Sequence, residues 1–178
     1  MARAVQTFAA VLAISVAVPS AAFAYDDQVS LDVGMGWGFA PGLEMFPNHG
    51  PLVGVATTIG IDDTWGVAIH GAWALHPPFV DDSDPVFHVG QVGAEALYYI
   101  DILQVVPFFG AGIDLLPTSD GTNWSVDFAA HLRLSVDYLA SREIAVGIDV
   151  RPYILLTALS TDPVYVSVQL RLSVLFDY

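Results

Sequence analysis

His131 and Ser135 come closest in this sequence to a catalytic pair, and they lie in a segment where apolar and polar residues alternate. A serine hydrolase needs its nucleophile within hydrogen-bond reach of a general base. Four residues of an extended strand cover about 13 Å, at about 3.3 Å per residue, so these two side chains are too far apart to react together. No His-x-Ser pair with a nearby Glu occurs elsewhere in the chain. We therefore predict no catalytic residues.

Metal-ligating residue types are present, but they do not cluster in the sequence. The chain has no cysteine, and a zinc site needs three or four converging ligands. His49, His76 and His88 are dispersed near predicted strand ends. Carboxylates concentrate at residues 81–84, without the spacing of an EF-hand. We predict no metal site and no cofactor, and we leave open whether this acidic loop binds divalent cations.

The charge composition excludes several classes of partner. The 178 residues include no lysine, five arginines and nineteen carboxylates, which gives a net charge of −14. Binding of nucleic acid needs clustered Lys and Arg side chains that neutralise phosphates, so no nucleic-acid partner is expected. Hydrophobic residues make up 54% of the chain, enough to bury a core. This excludes intrinsic disorder and predicts one folded domain.

The first 24 residues have the pattern of a cleaved secretory signal peptide. Arg3 supplies the positive start, residues 8–18 form an apolar run, and Ala22-Phe23-Ala24 provides the small residues that precede a cleavage site. The apolar run is too short to span a membrane as a helix. We expect cleavage before Tyr25, which leaves residues 25–178 as the folded domain.

The exported part of the chain shows a period of two, which is typical of strands. Every even position between 164 and 178 is apolar, while most odd positions are polar. Because side chains of a strand alternate between its two faces, this segment has one apolar face. The same alternation predicts eight strands, over residues 29–39, 52–61, 65–75, 89–100, 106–115, 126–138, 144–154 and 164–178.

The connections between these strands alternate in length. Long ones are expected over residues 40–51, 76–86, 116–123 and 157–163, and short ones centre on Asp62-Asp63, Asp101 and Ser141-Arg142. An up-and-down barrel with long loops at one end and tight turns at the other has this arrangement. Pro107 and Pro152 fall inside predicted strands. Since proline has no amide hydrogen for the ladder, each predicts a bulge or a strand end.

Two patterns indicate which face of the sheet contacts lipid. The polar face has few of the Lys and Glu side chains of a water-exposed surface and many small residues, such as Gly34, Gly36 and Gly38, which suit a crowded interior. Aromatic residues of the apolar face collect near strand ends, as interfacial girdles do. They are Trp37, Phe39 and Trp73 on the loop side and Trp65, Tyr98 and Tyr138 on the turn side. A transmembrane barrel is predicted, with a soluble barrel as the alternative.

Ionisable side chains on the polar face would then point into the barrel. They are Asp32, His70, Glu95, Asp114, Asp127, His131, Arg133, Asp149, Arg151 and Arg171. Unpaired charges in so narrow a space are costly, so we expect these groups to pair and to close the lumen. A narrow cation path along the carboxylates is the alternative.

With this leader, these strands and the closing segment VYVSVQLRLSVLFDY, the chain resembles the small bacterial outer-membrane β-barrels, the family that includes OmpX and the transmembrane domain of OmpA. The segment VPFFGAGIDL is similar to a glycine-containing strand of that family. The resemblance implies that the closing strand is the recognition signal for the outer-membrane assembly machinery. The matching residues are Leu170, Leu172, Val174, Phe176 and Tyr178.

The predicted fold class is all-β, an eight-stranded antiparallel up-and-down transmembrane β-barrel. The resemblance further implies a monomer in the outer membrane of a Gram-negative bacterium, in contact with lipid and lipopolysaccharide. The predicted function is a structural or adhesive role with a closed lumen. A narrow channel for small solutes or hydrophobic compounds is the first alternative. A soluble ligand-binding barrel and a lipid-A-modifying enzyme are less favoured.

Overall fold

The computed structural model describes residues 28–41, 48–77, 86–100, 104–159 and 164–177. They form eight strands: β1 Gln28–Phe39, β2 His49–Gly60, β3 Trp65–His76, β4 Phe87–Tyr99, β5 Val105–Ser119, β6 Trp124–Leu139, β7 Ile144–Leu155 and β8 Val164–Asp177. Within these ranges, no helix has the length and apolar character to cross a membrane. The predicted signal peptide and Tyr178 lie outside the described residues. The predicted all-β class and the eight strands are confirmed.

The strands form one closed barrel. Each strand pairs antiparallel with its neighbours in the chain, and β8 returns to pair with β1. This closing register places Met35 opposite Leu170 and Gly34 opposite Arg171. Met35 and Leu170 point outward and are 68% and 62% exposed, whereas Arg171 points inward and is buried. The alternation read from the sequence therefore separates an apolar outer surface from a polar interior.

The connection between β5 and β6 is shorter than the sequence predicts. A long loop is expected over residues 116–123, but β5 continues to Ser119 and only residues 120–123 join it to β6. Leu116 is buried inside the barrel, and the hydroxyl groups of Thr118 and Ser125 form a hydrogen bond of 2.6 Å across the ladder. Burial and strand pairing outweigh the turn-forming residue types of this segment.

Asp120 organises the short turn that follows β5. Its Oδ1 accepts hydrogen bonds from the backbone amides of Thr122 at 2.8 Å and Asn123 at 2.6 Å. These donors stabilise the charged carboxylate, so the pKa of Asp120 lies below its ordinary value. Gly121 completes the turn with a φ of 85°, a conformation that favours glycine.

The prolines inside the strands do not produce bulges. Pro107 is the third residue of β5 and lies opposite Val136. On either side of Pro152 the register between β6 and β7 is unchanged, with Tyr153 opposite His131 and Val150 opposite Leu134. No residue is therefore inserted at Pro152, and the prediction of a bulge or a strand end at this position is wrong. The continuous pairs on both sides keep the strand in register around the missing amide donor.

The interior of the barrel is built in layers. A turn-side apolar layer consists of Ala68, Leu97, Tyr99, Val106, Phe108, Ala145 and Leu175. A loop-side apolar layer consists of Ala40, Leu52, Ala74, Val89, Leu116, Ala129, Tyr153, Leu155 and Tyr165. The charged layer consists of Asp32, His70, Glu95, Asp114, His131, Arg133, Asp137, Asp149, Arg151 and Arg171, all buried. It contacts Phe108 on one side through Arg133, at 4.9 Å, and Tyr153 on the other through His131, at 5.3 Å between ring centroids.

Candidate functional site

Arg133 of β6 connects β4 with β7 inside the barrel and is fully buried. Its Nη1 donates to Glu95 on β4 at 2.7 Å, and its Nη2 donates to Asp149 on β7 at 3.1 Å. Its Nε donates to the hydroxyl of Ser135 at 3.1 Å. Arg151 reaches the same Glu95 oxygen from β7 at 3.4 Å. Two guanidinium groups therefore hold the Glu95 carboxylate in place.

Arg171 extends the charged layer to β1. Its Nη1 donates to Asp32 at 3.1 Å and to the hydroxyl of Ser173 at 3.1 Å, and its Nη2 donates to Asp137 at 2.5 Å. Its Nε lies 3.6 Å from Asp149, which also binds Arg133. The shared Asp149 joins the ion pairs of both arginines into one network.

Two imidazoles and two carboxylates complete the layer near β3, β4, β5 and β6. His70 Nε2 lies 2.7 Å from Asp114 Oδ1, and His131 Nδ1 contacts Asp114 Oδ2. The other nitrogen of His131, Nε2, lies 3.1 Å from Glu95 Oε2. His70 Nδ1 lies 3.8 Å from Glu95 Oε1, beyond hydrogen-bond distance. We call these four residues the imidazole cluster.

Little space remains beside the charged layer where a pocket adjoins it. Among the described residues, a cavity of about 10 Å³ lies beside Asp149, Arg151 and Arg171. This is about the space of one water molecule. Removing one partner from a buried ion pair leaves an uncompensated charge and costs about 3–5 kcal/mol. Opening a continuous aqueous path would therefore require several of these pairs to separate.

Nine of the ten predicted interior groups belong to the charged layer. The exception is Asp127, which is half-buried near the loop end of β6 and accepts a hydrogen bond of 2.7 Å from Thr157. Asp137 is a further member of the layer that is absent from the predicted interior groups, although it lies on the same strand face as His131. The period of two within β6 is the signal that identifies Asp137 as an interior residue.

His131 and Ser135 do not form a catalytic pair. Both nitrogens of His131 contact carboxylates, and the Ser135 hydroxyl accepts a hydrogen bond from Arg133.

His76, which the sequence places near a strand end, is buried at the end of β3, and its ring lies 6.1 Å from the ring of Tyr165. This position is part of the loop-side packing.

The outer surface of the barrel is apolar. Leu132 on β6 is 59% exposed, and the neighbouring outward positions Leu134 and Ile113 are similarly exposed. A soluble protein rarely exposes a continuous apolar surface of this extent. In a membrane the same surface would be covered by lipid, and every strand edge is already paired. The geometry favours the transmembrane barrel over the soluble one.

No protein-family model matches this chain, and no curated protein is significantly similar in sequence. Solved structures similar in fold include the following three. Neisserial surface protein A has 16% identity and a TM-score of 0.62, over 85% of this chain and 96% of that chain. The outer membrane protein OprG from Pseudomonas aeruginosa has 12% identity and a TM-score of 0.61, over 87% and 98%. Ail, the attachment invasion locus protein of Yersinia pestis, has 14% identity and a TM-score of 0.52, over 85% and 99%.

This chain has the fold of the small outer-membrane β-barrels. Its apolar exterior suits contact with lipid.

The outward aromatic side chains of the barrel stand near the ends of its strands. Six outward, exposed side chains stand near strand ends: Trp37, Phe39 and Trp73 on the loop side, and Trp65, Tyr98 and Tyr138 on the turn side. Trp124, which the sequence analysis does not include, joins the loop-side group 6.1 Å from the ring of Trp73. Aromatic rings at both ends of the strands suit the two interfaces of a membrane.

Two tryptophans of the loop-side group bond to histidines in the same way. Trp37 donates from Nε1 to His49 Nδ1 at 3.2 Å, and Trp73 donates to His88 Nδ1 at 3.3 Å. In both pairs the histidine lies diagonally across the ladder, two positions from the residue opposite the tryptophan. These bonds fix the indole orientations and give His49 and His88 a positioning role that the sequence does not predict.

The predicted assembly signal lies on the outer face of the barrel. Leu170, Leu172, Val174 and Phe176 of β8 are all exposed there, and Tyr178 falls outside the described residues. β8 also closes the barrel against β1. The closing strand therefore contributes an apolar ridge to the outer surface of the barrel.

Proposed function

We propose that this protein is a monomeric integral outer-membrane protein with a structural or adhesive role and a closed lumen. The observation that carries the proposal is the charged layer, packed between two apolar layers. Arg133, Arg151 and Arg171 each contact at least two carboxylates inside it. Rings of carboxylates select cations only where water and ions can pass, and the small size of the cavity beside the layer, about 10 Å³, supports a closed lumen.

Single-channel recording in planar lipid bilayers tests the closed lumen. The purified barrel is expected to produce no steady ohmic openings, while a porin in the same bilayers provides the positive control. Folding is checked in the same preparation by gel mobility with and without boiling. Steady openings of the folded protein would instead support the narrow channel, which remains the second candidate because carboxylates outnumber guanidinium groups in the lumen.

The adhesive part of the proposal concerns the loop end of the barrel. Ail has been solved in complex with the heparin analogue sucrose octasulfate. The present chain has a net charge of −14 and carboxylates at Asp81, Asp82 and Asp84, so we expect it to repel sulfated polyanions and to favour basic surfaces. Cells that express the protein should adhere to a basic protein coat and not to heparin. Equal adhesion of cells with and without the protein would leave only the structural role.

The assembly pathway is also part of the proposal. Residues 1–24 would be removed on export, and the C-terminal aromatic residue would direct insertion by the assembly machinery. N-terminal sequencing of the membrane-inserted protein should begin at Tyr25. Tyr178→Ser should lower the amount in the outer membrane, whereas Tyr178→Phe, which keeps the aromatic ring, should not. Equal amounts for both variants would contradict the proposed signal.

A further inference from the structure

The imidazole cluster is assembled from four consecutive strands at one level of the barrel. Gly93 of β4 lies opposite both His70 of β3 and Asp114 of β5 in the ladder. A Cβ at Gly93 would stand 2.2 Å from Asp114 Oδ1, and a Cβ at Gly112 would stand 2.6 Å from His131 Cε1. The two glycines therefore create the space in which these polar groups converge.

The two contacts of His131 cannot both be hydrogen bonds when the imidazole is neutral and both carboxylates are charged. Each of its ring nitrogens faces a carboxylate, with Glu95 at Nε2 and Asp114 at Nδ1. A neutral imidazole has one N–H donor and one lone pair, so one of its two nitrogens would point a lone pair at a carboxylate oxygen. Either a second proton or a metal ion must occupy that contact.

The net charge of the whole charged layer also indicates that additional positive charge is needed. Its ion-pair network contains five carboxylates and three guanidinium groups, together with His70 and His131. With neutral imidazoles the network therefore carries two net negative charges in a space without bulk water. One divalent cation would balance these charges. Two additional protons, one on each imidazole, would balance them equally.

The donor atoms favour the metal ion. One nitrogen from His70, one from His131 and one oxygen from Asp114 lie within 4.8 Å of one another, and all three residues are buried. Glu95 contacts the outer nitrogen of His131 at 3.1 Å and lies 3.8 Å from the outer nitrogen of His70. Metal-binding histidines commonly donate their second N–H to a carboxylate in this way, which fixes the tautomer and the ring orientation.

We propose that His70 Nε2, His131 Nδ1 and the Asp114 carboxylate bind one divalent transition-metal ion of the zinc class, with Glu95 as their outer-sphere partner. Imidazole ligands suit Zn²⁺, Co²⁺, Ni²⁺ and Cu²⁺, whereas Ca²⁺ and Mg²⁺ prefer sites made of oxygen ligands. Three protein ligands leave a fourth position of a tetrahedral site for a water molecule. His70 Nδ1 has no hydrogen-bond partner among the described residues, and it faces Glu95.

The packing of the lumen determines how the ion would enter. Apolar layers cover the charged layer on both sides, so a metal ion added to the folded barrel has no open route. The ion would be bound while the barrel folds and would then exchange slowly. The ligand set itself does not depend on the proposed function, whereas the slow exchange of the ion rests on the closed lumen proposed above.

The test refolds the urea-denatured protein into detergent micelles with Zn²⁺ or Co²⁺, removes loose metal with a chelator, and measures the metal retained per folded chain. The wild-type protein should retain one ion. His131→Gln and Asp114→Asn should each retain at least about tenfold less, because each removes a ligand. His88→Gln, which changes a histidine outside the cluster, is the matched control and should retain one ion.

Two results would overturn the proposal. One is a folded wild-type barrel that retains no more metal than either cluster variant. The other is unchanged retention in His131→Gln. Where a cluster variant fails to fold, the absorption spectrum of the wild-type Co²⁺ form decides. Intense visible bands indicate tetrahedral nitrogen and oxygen ligation and support the site, whereas a weak octahedral spectrum contradicts it. An excess of Mg²⁺ should not reduce retention of Zn²⁺.

Discussion

The guanidinium group of Arg133 lies 2.7 Å from the carboxylate of Glu95, and neither side chain is exposed to solvent. Replacing Arg133 with Met would leave this carboxylate buried with less positive charge around it. We expect the free energy of unfolding to fall by about 3–5 kcal/mol, as for other broken buried ion pairs. Urea titration of the protein in lipid vesicles measures the change.

An exposed arginine provides the matched control. Its replacement distinguishes the effect of losing the buried ion pair from the effect of losing a positive charge. Arg142 lies exposed in the turn between β6 and β7, and Arg142→Met should change the unfolding free energy by no more than about 0.5 kcal/mol. The double variant Arg133→Met with Glu95→Gln should cost less than the sum of its single variants, because the two groups are coupled. Additive costs would show that the pair contributes no specific interaction.

Leu132 and Leu170 point outward from the middle of β6 and β8. Arginine at either position would place a charge near the centre of the lipid, and we expect a cost of about 2–4 kcal/mol in vesicles. Val126→Arg, near the loop end of β6, should cost only about 0–1 kcal/mol because its charge reaches the interface. Equal costs at the three positions would contradict the assigned membrane orientation.

The strands, and the face of the sheet on which each residue lies, could be predicted from the sequence because the barrel imposes a local rule. Lipid covers one face and the packed lumen the other, so every second residue must be apolar. The rule fails where local signals conflict with burial. Leu116 and Pro117 resemble the start of a loop in sequence, yet Leu116 belongs to the loop-side apolar layer and β5 continues past both residues.

The partners of the charged groups could not be predicted in the same way. Alternation shows that His70 and Asp114 face inward, but their contact depends on the register of β3, β4 and β5, which the sequence does not specify. The alternation also does not show how far along the barrel axis each charged group lies. Asp127 and Asp137 both face inward on β6, yet only Asp137 reaches an arginine, while Asp127 lies at the loop end beside Thr157.

The turn at Asp120 predicts a dependence of stability on pH. Its folded-state pKa is lowered by backbone donors, so its contribution to stability is complete above the unfolded-state pKa and is lost as the pH falls through the folded-state pKa. The stability advantage of the wild-type protein over Asp120→Ala should be constant at neutral pH and shrink only in strong acid. An advantage that disappears near neutral pH would contradict the role of the charged carboxylate. Paired urea titrations across the pH range measure it.

Gly36 of β1 and Gly71 of β3 differ in the space that an added methyl group would find. A Cβ at Gly36 would stand 1.8 Å from the backbone oxygen of Val168, so Gly36→Ala must push β8 away from β1. At Gly71 the nearest atom to an added methyl group would be the Gln91 carbonyl oxygen at 3.7 Å, an ordinary contact. We expect Gly36→Ala to destabilise the barrel by about 1–3 kcal/mol and Gly71→Ala to be neutral or slightly stabilising. Unfolding in urea compares them, and equal stabilities would show that the β1–β8 seam can relax to accept a methyl group.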